Sequence, residues 1–79
     1  MFEERVVLPE GRRIEILLDR EMHYRLRFLE GNSPVVEYAS DGGGHRRRLR
    51  GRDLAYEFKS VEQLRYDFER DAADAQRQG

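Results

Sequence analysis

The sequence predicts a small α+β domain, an antiparallel meander of five to six short strands with one C-terminal helix across one sheet face. Two observations carry this. Turn residues punctuate the first sixty positions every eight to twelve residues, with apolar residues alternating between them. After Ser60 the apolar spacing changes from a period of two to a helical one.

Taken in order, Val6-Val7-Leu8 closes a first strand, expected over 3–8, and Pro9-Glu10-Gly11 turns the chain. Ile14, Ile16 and Leu18 alternate over 12–18, and Asp19-Arg20-Glu21 follows. Tyr24, Leu26 and Phe28 define 23–29, before Gly31-Asn32-Ser33-Pro34. Val36 and Tyr38 define 35–40, ended by Asp41 and three glycines. A strand over 45–50 leads through Gly51 to a last one over 53–59, with Leu54, Tyr56 and Phe58 on one face. Pro9 and Pro34 sit at element ends, where a missing N–H costs the ladder nothing. Ser60 and Gln63 have capping-box spacing. Val61, Leu64, Phe68, Ala72 and Ala75 then fall in one stripe roughly 80° wide, predicting a helix over 61–77. All 79 residues form one domain, meander 3–59 and helix 61–77.

Composition narrows function by exclusion. Leu, Ile, Val and Phe make up 19 of 79 residues, above the roughly one-fifth level below which disorder is favoured. Fifteen basic against sixteen acidic side chains leave a net charge of −1, which excludes a general coat for polyanions and leaves local patches. With no cysteine there is neither a disulfide nor a thiolate metal site. No apolar run approaches the roughly 18 residues of a membrane span, and the charged N-terminus does not resemble a signal peptide. A cytoplasmic protein that uses no cofactor and contacts no membrane is expected. The predicted core, Ile14, Ile16, Leu18, Tyr24, Leu26, Phe28, Val36, Tyr38, Leu49, Leu54, Tyr56, Phe58, Leu64 and Phe68, is thin for this length, which suits a partner or a homodimer.

The loudest local signal is His45-Arg46-Arg47-Arg48-Leu49-Arg50-Gly51-Arg52, five arginines in eight residues. Guanidinium groups stay charged and bind phosphates bidentately, so Arg46, Arg47, Arg48, Arg50 and Arg52 are candidate contacts for RNA or DNA. Strand parity offers the plainer reading. If Leu49 faces the helix, then Arg46, Arg48 and Arg50 face away, beside Glu15, Arg25, Arg27, Glu37 and Glu57 on neighbouring strands. Alternating acids and bases would neutralise that face. Arg47 and His45 share parity with Leu49 and escape the neutralisation.

His45 follows Asp41 and the glycines, so a carboxylate, an imidazole and permissive backbone meet in one loop. Histidine titrates near working pH, which makes His45 the acid–base candidate, with Asp41 to orient it. A hairpin turn with an exposed histidine fits the same residues. A metal site from Asp41, His45 and His23 lacks a second close ligand pair, and none is expected. Tyr66 lies about 140° from Val61 on the helix wheel, away from the apolar stripe. It is either simply solvated or a partner-binding residue.

These residues resemble the TumE family, small toxins of bacterial and archaeal toxin–antitoxin pairs. The family pattern is a Tyr-Ser-Leu-like strand, a strand ending Tyr-Asp-Asn, a glycine loop with His-Arg-His, a Tyr-x-Phe strand and a helix Ser-Val-Glu-x-Leu-x-x-Asp-Phe-x-x-Asp. Tyr24-Arg25-Leu26, Val35-Val36-Glu37-Tyr38, Gly44-His45-Arg46 and Tyr56-Glu57-Phe58 match the first four in order. Ser60-Val61-Glu62-Gln63-Leu64 and Asp67-Phe68 with Asp71 match the helix, so the resemblance runs from about Arg13 to Arg77. Ala39-Ser40 replaces the Asp-Asn pair and Arg47 the second loop histidine, so no acid–base role passes to those positions. The resemblance implies toxicity when the partner is missing and neutralisation by a co-encoded helix-turn-helix DNA-binding antitoxin. The alternative from another class is a non-enzymatic interaction module or inhibitor from a mobile element, for example a phage, using the balanced face as a docking surface.

Overall fold

The alternating segments form six strands: β1 (Phe2–Val7), β2 (Arg12–Leu18), β3 (Tyr24–Glu30), β4 (Ser33–Asp41), β5 (Gly44–Leu49) and β6 (Arg52–Ala55). They pair antiparallel in sequence order, and the α-helix α1 (Val61–Gln78) packs against the sheet at β4. The protein is thus an α+β domain built on a six-stranded meander. The structure, a computed structural model, describes residues 2–19, 23–41 and 44–78, with the side chains of Asp41 and Gln78 outside the described residues.

Register sets which side chains reach the helix. One row across the helix side runs Glu4, Ile16, Leu26, Tyr38, Arg47, Leu54, and the next Val6, Ile14, Phe28, Val36, Leu49, Arg52. From the helix, Leu64, Phe68, Ala72 and Ala75 close onto these rows, each 5% exposed or less. The anticipated stripe is therefore the buried one, and it holds the helix along its length. Two further residues join the interior. Phe28 pairs with Val36 and Leu29 with Pro34, so Val35 is skipped as a bulge and is buried beside Val36; Leu29 is buried as well.

Three expectations are corrected. The last strand ends at Ala55 rather than 59, because the chain leaves the sheet edge to enter the helix, and Tyr56 and Phe58 pack on the core from irregular backbone. Leu54 is 39% exposed, since the helix does not extend over β6. Half of the capping box forms: Ser60 Oγ accepts the Gln63 N–H at 3.0 Å, whereas the Gln63 side chain turns forward to Asp67.

On the opposite face, Arg5, Glu15, Arg27, Glu37, Arg48 and Asp53 stand in one row, one residue per strand, with charge alternating throughout. Glu15 meets Arg27 at 2.5 Å, Arg13 at 3.1 Å and Arg5 at 3.6 Å, and Arg48 meets Asp53 at 2.7 Å. The neutralised face anticipated from parity is present, with Asp53 in the place expected for Glu57. The hydrogen bond from Arg27, with its charge and those contacts from Arg13, holds the Glu15 carboxyl below its usual range despite burial. A depressed folded pKa contributes stability above the unfolded value that is lost as pH falls through the folded one. Thermal melts between pH 7 and 3 should therefore show the native chain losing stability below about pH 4.3. Glu15→Gln should start less stable and decline less over that window; parallel curves would contradict the assignment.

Among the described residues, no helix is long and apolar enough to cross a membrane.

Candidate functional site

Strand parity and the helix period bring together residues that are far apart in sequence. β5 presents His45 and Arg47 on the helix side, β3 and β4 present Tyr24 and Tyr38, and α1 contributes Asp67 and Asp71, one turn apart. Tyr56 and Phe58 descend from the segment joining β6 to α1. The result is a polar network between sheet and helix with an aromatic cluster at its open end.

Asp71 is 8% exposed, a charge that must be compensated to stay buried. Tyr38 donates its hydroxyl hydrogen bond to Asp71 Oδ2, Arg47 Nε lies 3.1 Å from the same oxygen, and Arg70 Nε is 3.8 Å from Oδ1. The Arg47 guanidinium also sits 5.8 Å from the Tyr38 ring centre. One turn earlier, Tyr56 donates to Asp67 Oδ2 at 2.8 Å and Gln63 to Oδ1 at 2.9 Å. Burial pushes the Asp67 carboxyl upward, but these hydrogen bonds and the charges of Arg70 and Arg47 hold it below its usual range. Tyr38 and Tyr56 are raised above the tyrosine range, by burial first and then by the carboxylates they serve. Both remain protonated donors at neutral pH.

At the open end, Tyr24 Oη lies 2.9 Å from His45 Nδ1. The His45 ring is 5.1 Å from that of Phe58 and 7° from parallel, and Tyr24 stacks on Phe58 at 5.7 Å. Burial pushes the Tyr24 hydroxyl up to about 12, so it stays protonated. With Tyr24 donating, the neutral imidazole carries its proton on Nε2. Ser40 Oγ accepts the Tyr24 backbone N–H at 2.9 Å. His23 is bound separately, its Nδ1 3.2 Å from Asp19 Oδ2.

Comparison with models of protein families, with curated proteins and with solved structures finds no match to this chain.

The arginine run is divided by the sheet. Arg46 and Arg48 are on the outer face, where Arg48 is bound by Asp53. Arg47 and Arg52 are on the helix side, since Arg52 pairs with Leu49. Arg50, expected on the outer face, is instead in the β5–β6 turn at φ 49°, followed by Gly51 at φ 83°. Arg47, Arg50 and Arg52 form one wall of a cleft of about 360 Å³, with Asp71, Asp74 and Ala75 of the helix on the other. The orienting role expected of Asp41 lies outside the described residues, as do Gly42 and Gly43 of its loop. Tyr66 is 62% exposed, with the Arg70 guanidinium 5.9 Å from its ring centre. Sequence reasoning passed over Tyr24, Tyr38, Tyr56, Asp67 and Asp71 as members of the site. A legible signal for Asp71 was its place about 20° from Leu64 on the helix wheel, at the border of an apolar stripe.

Proposed function

We propose that this chain is the toxin-like component of a prokaryotic toxin–antitoxin pair, resembling the TumE family and contacting nucleic acid through the His45 end of β5. In this reading it works in the cytoplasm and is held in check by a co-encoded helix-turn-helix antitoxin. One observation carries the reading: Tyr24, Tyr38, His45, Tyr56, Phe58, Asp67 and Asp71, which come from each part of the family-like pattern, gather on the helix side in two clusters, Tyr24–His45–Phe58 and Tyr38–Tyr56–Asp67–Asp71, joined through the chain from Tyr56 to Phe58. A purely structural motif would not need to expose a histidine while clamping it at Nδ1 and on one ring face. His45 is the acid–base candidate, and Arg50 and Arg52 are the phosphate-facing cations, with Arg47 engaged by Asp71. The alternating charge row of the outer face supports a second reading, a protein-docking module.

Expression in a bacterial host decides between them. The chain alone should arrest growth, His45→Ala should restore it, and co-expression of the neighbouring regulator should protect. Unimpaired growth with the native chain would remove the toxin reading.

A further inference from the structure

The nucleic-acid reading leaves open what form of nucleic acid the site accepts. We infer that β5 and the turn after it form a track for a single strand, with an unpaired base stacking at His45 and phosphates held by Arg50 and Arg52. The inference rests on the proposed nucleic-acid contact and adds the class of ligand.

The aromatic end comes first. His45 is exposed, yet its ring is oriented by Tyr24 Oη at 2.9 Å and by the nearly parallel Phe58 ring. A pre-oriented, accessible aromatic ring is what an unstacked base needs, and a base inside a duplex cannot reach it. The charged end lies further along the same strand and face. His45, Arg47 and Leu49 follow at two-residue steps, and Arg52 is the partner of Leu49, so ring and cation are separated by roughly 14 Å of strand. That distance accommodates a few nucleotides.

Charge accounting in the cleft leaves these two arginines in excess. Asp71 is already compensated by Arg47 and the Tyr38 hydroxyl, and Asp74 is bound by Arg77. Among the described residues, no carboxylate lies within ion-pair distance of Arg50 or Arg52. A duplex, in contrast, needs a broad positive face. The outer face offers as many carboxylates as guanidiniums in its central row and adds Arg25 and Arg46, one strand apart, in the next, so it presents two separated cations rather than the broad positive surface that a duplex needs.

The test is fluorescence anisotropy of the full chain with labelled 12-mers: single-stranded RNA, single-stranded DNA, the matching duplex, and an abasic single strand. The track requires at least one single strand to bind about fivefold or more tighter than both the duplex and the abasic strand. The RNA and DNA arms identify which sugar is preferred. His45→Ala should lower single-strand affinity to the abasic level, and His45→Phe, which keeps a ring but not the imidazole, should retain it. Arg50→Asn suits the positive φ of the turn. Combined with Arg52→Gln it should flatten the slope of log K against log salt by about 1.4. Equal binding of duplex or abasic strand, or no effect of His45→Ala, would overturn the track while leaving nucleic-acid binding intact. Absence of binding to all four probes would overturn both.

Discussion

Phe68→Ala leaves the isolated chain largely unfolded at room temperature. Phe68 is 1% exposed, lies at the centre of the helix stripe and meets the Tyr38 ring edge-on at 6.0 Å. It is the only large aromatic that α1 places in the core. Truncating a buried phenylalanine costs about 3–5 kcal/mol, counting both lost burial and the cavity left behind. A domain of this size has only about 5 kcal/mol in total, so little or no folded population survives. Tyr66→Ala, on the exposed side of the same helix, should leave the melt within about 0.5 kcal/mol of the native one. Circular dichroism melts of the two variants compare them directly. A cooperative Phe68→Ala transition at the native temperature would mean that the helix is not the lid of this core.

The second large effect belongs to Asp71. Removing its carboxylate with Asp71→Ala strands the Tyr38 hydroxyl and leaves Arg47 facing a void in place of a counter-charge. Breaking a buried pair from one side costs about 3–5 kcal/mol, because the remaining charge stays desolvated. Asp71→Asn keeps an acceptor for Tyr38 and should recover part of the loss. The double variant Asp71→Ala with Tyr38→Phe should be less damaging than the sum of its single changes, since no hydroxyl is left unpaired. Urea unfolding of the four chains measures this coupling. Strict additivity would mean that Tyr38 and Asp71 do not act as a unit.

How far the sequence disclosed this site depended on the kind of signal. Alternation placed Ile16, Leu26, Phe28 and Tyr38 on the helix side, and the helical period found Leu64, Phe68, Ala72 and Ala75, because burial imposes those periods. Parity also separated Arg47 from Arg46 and Arg48, which the register bears out. The bulge at Val35 was invisible, since two successive valines fit a regular strand equally well. So was the departure of the chain from the sheet after Ala55, where Tyr56 and Phe58 continue the strand period but follow their contacts to Asp67 and His45. Arg50 was misplaced because strand parity carries no information through a two-residue turn. The aspartates were missed for a different reason: a carboxylate on a charged helix reads as solvated until the tyrosine that meets it, 33 residues earlier for Asp71 and 11 for Asp67, is known.

In the proposed function the helix-side face of β5 meets the ligand, while the arginines of the outer row serve the sheet. Backbone amide chemical shifts of the labelled chain, followed during titration with a single-stranded 12-mer, test it most directly. The perturbed amides should cluster at His45, Arg47, Arg50, Arg52 and Phe58, with Arg5, Arg27 and Arg48 unmoved. Perturbations concentrated along the outer row, or on the exposed side of α1 around Tyr66, would contradict it.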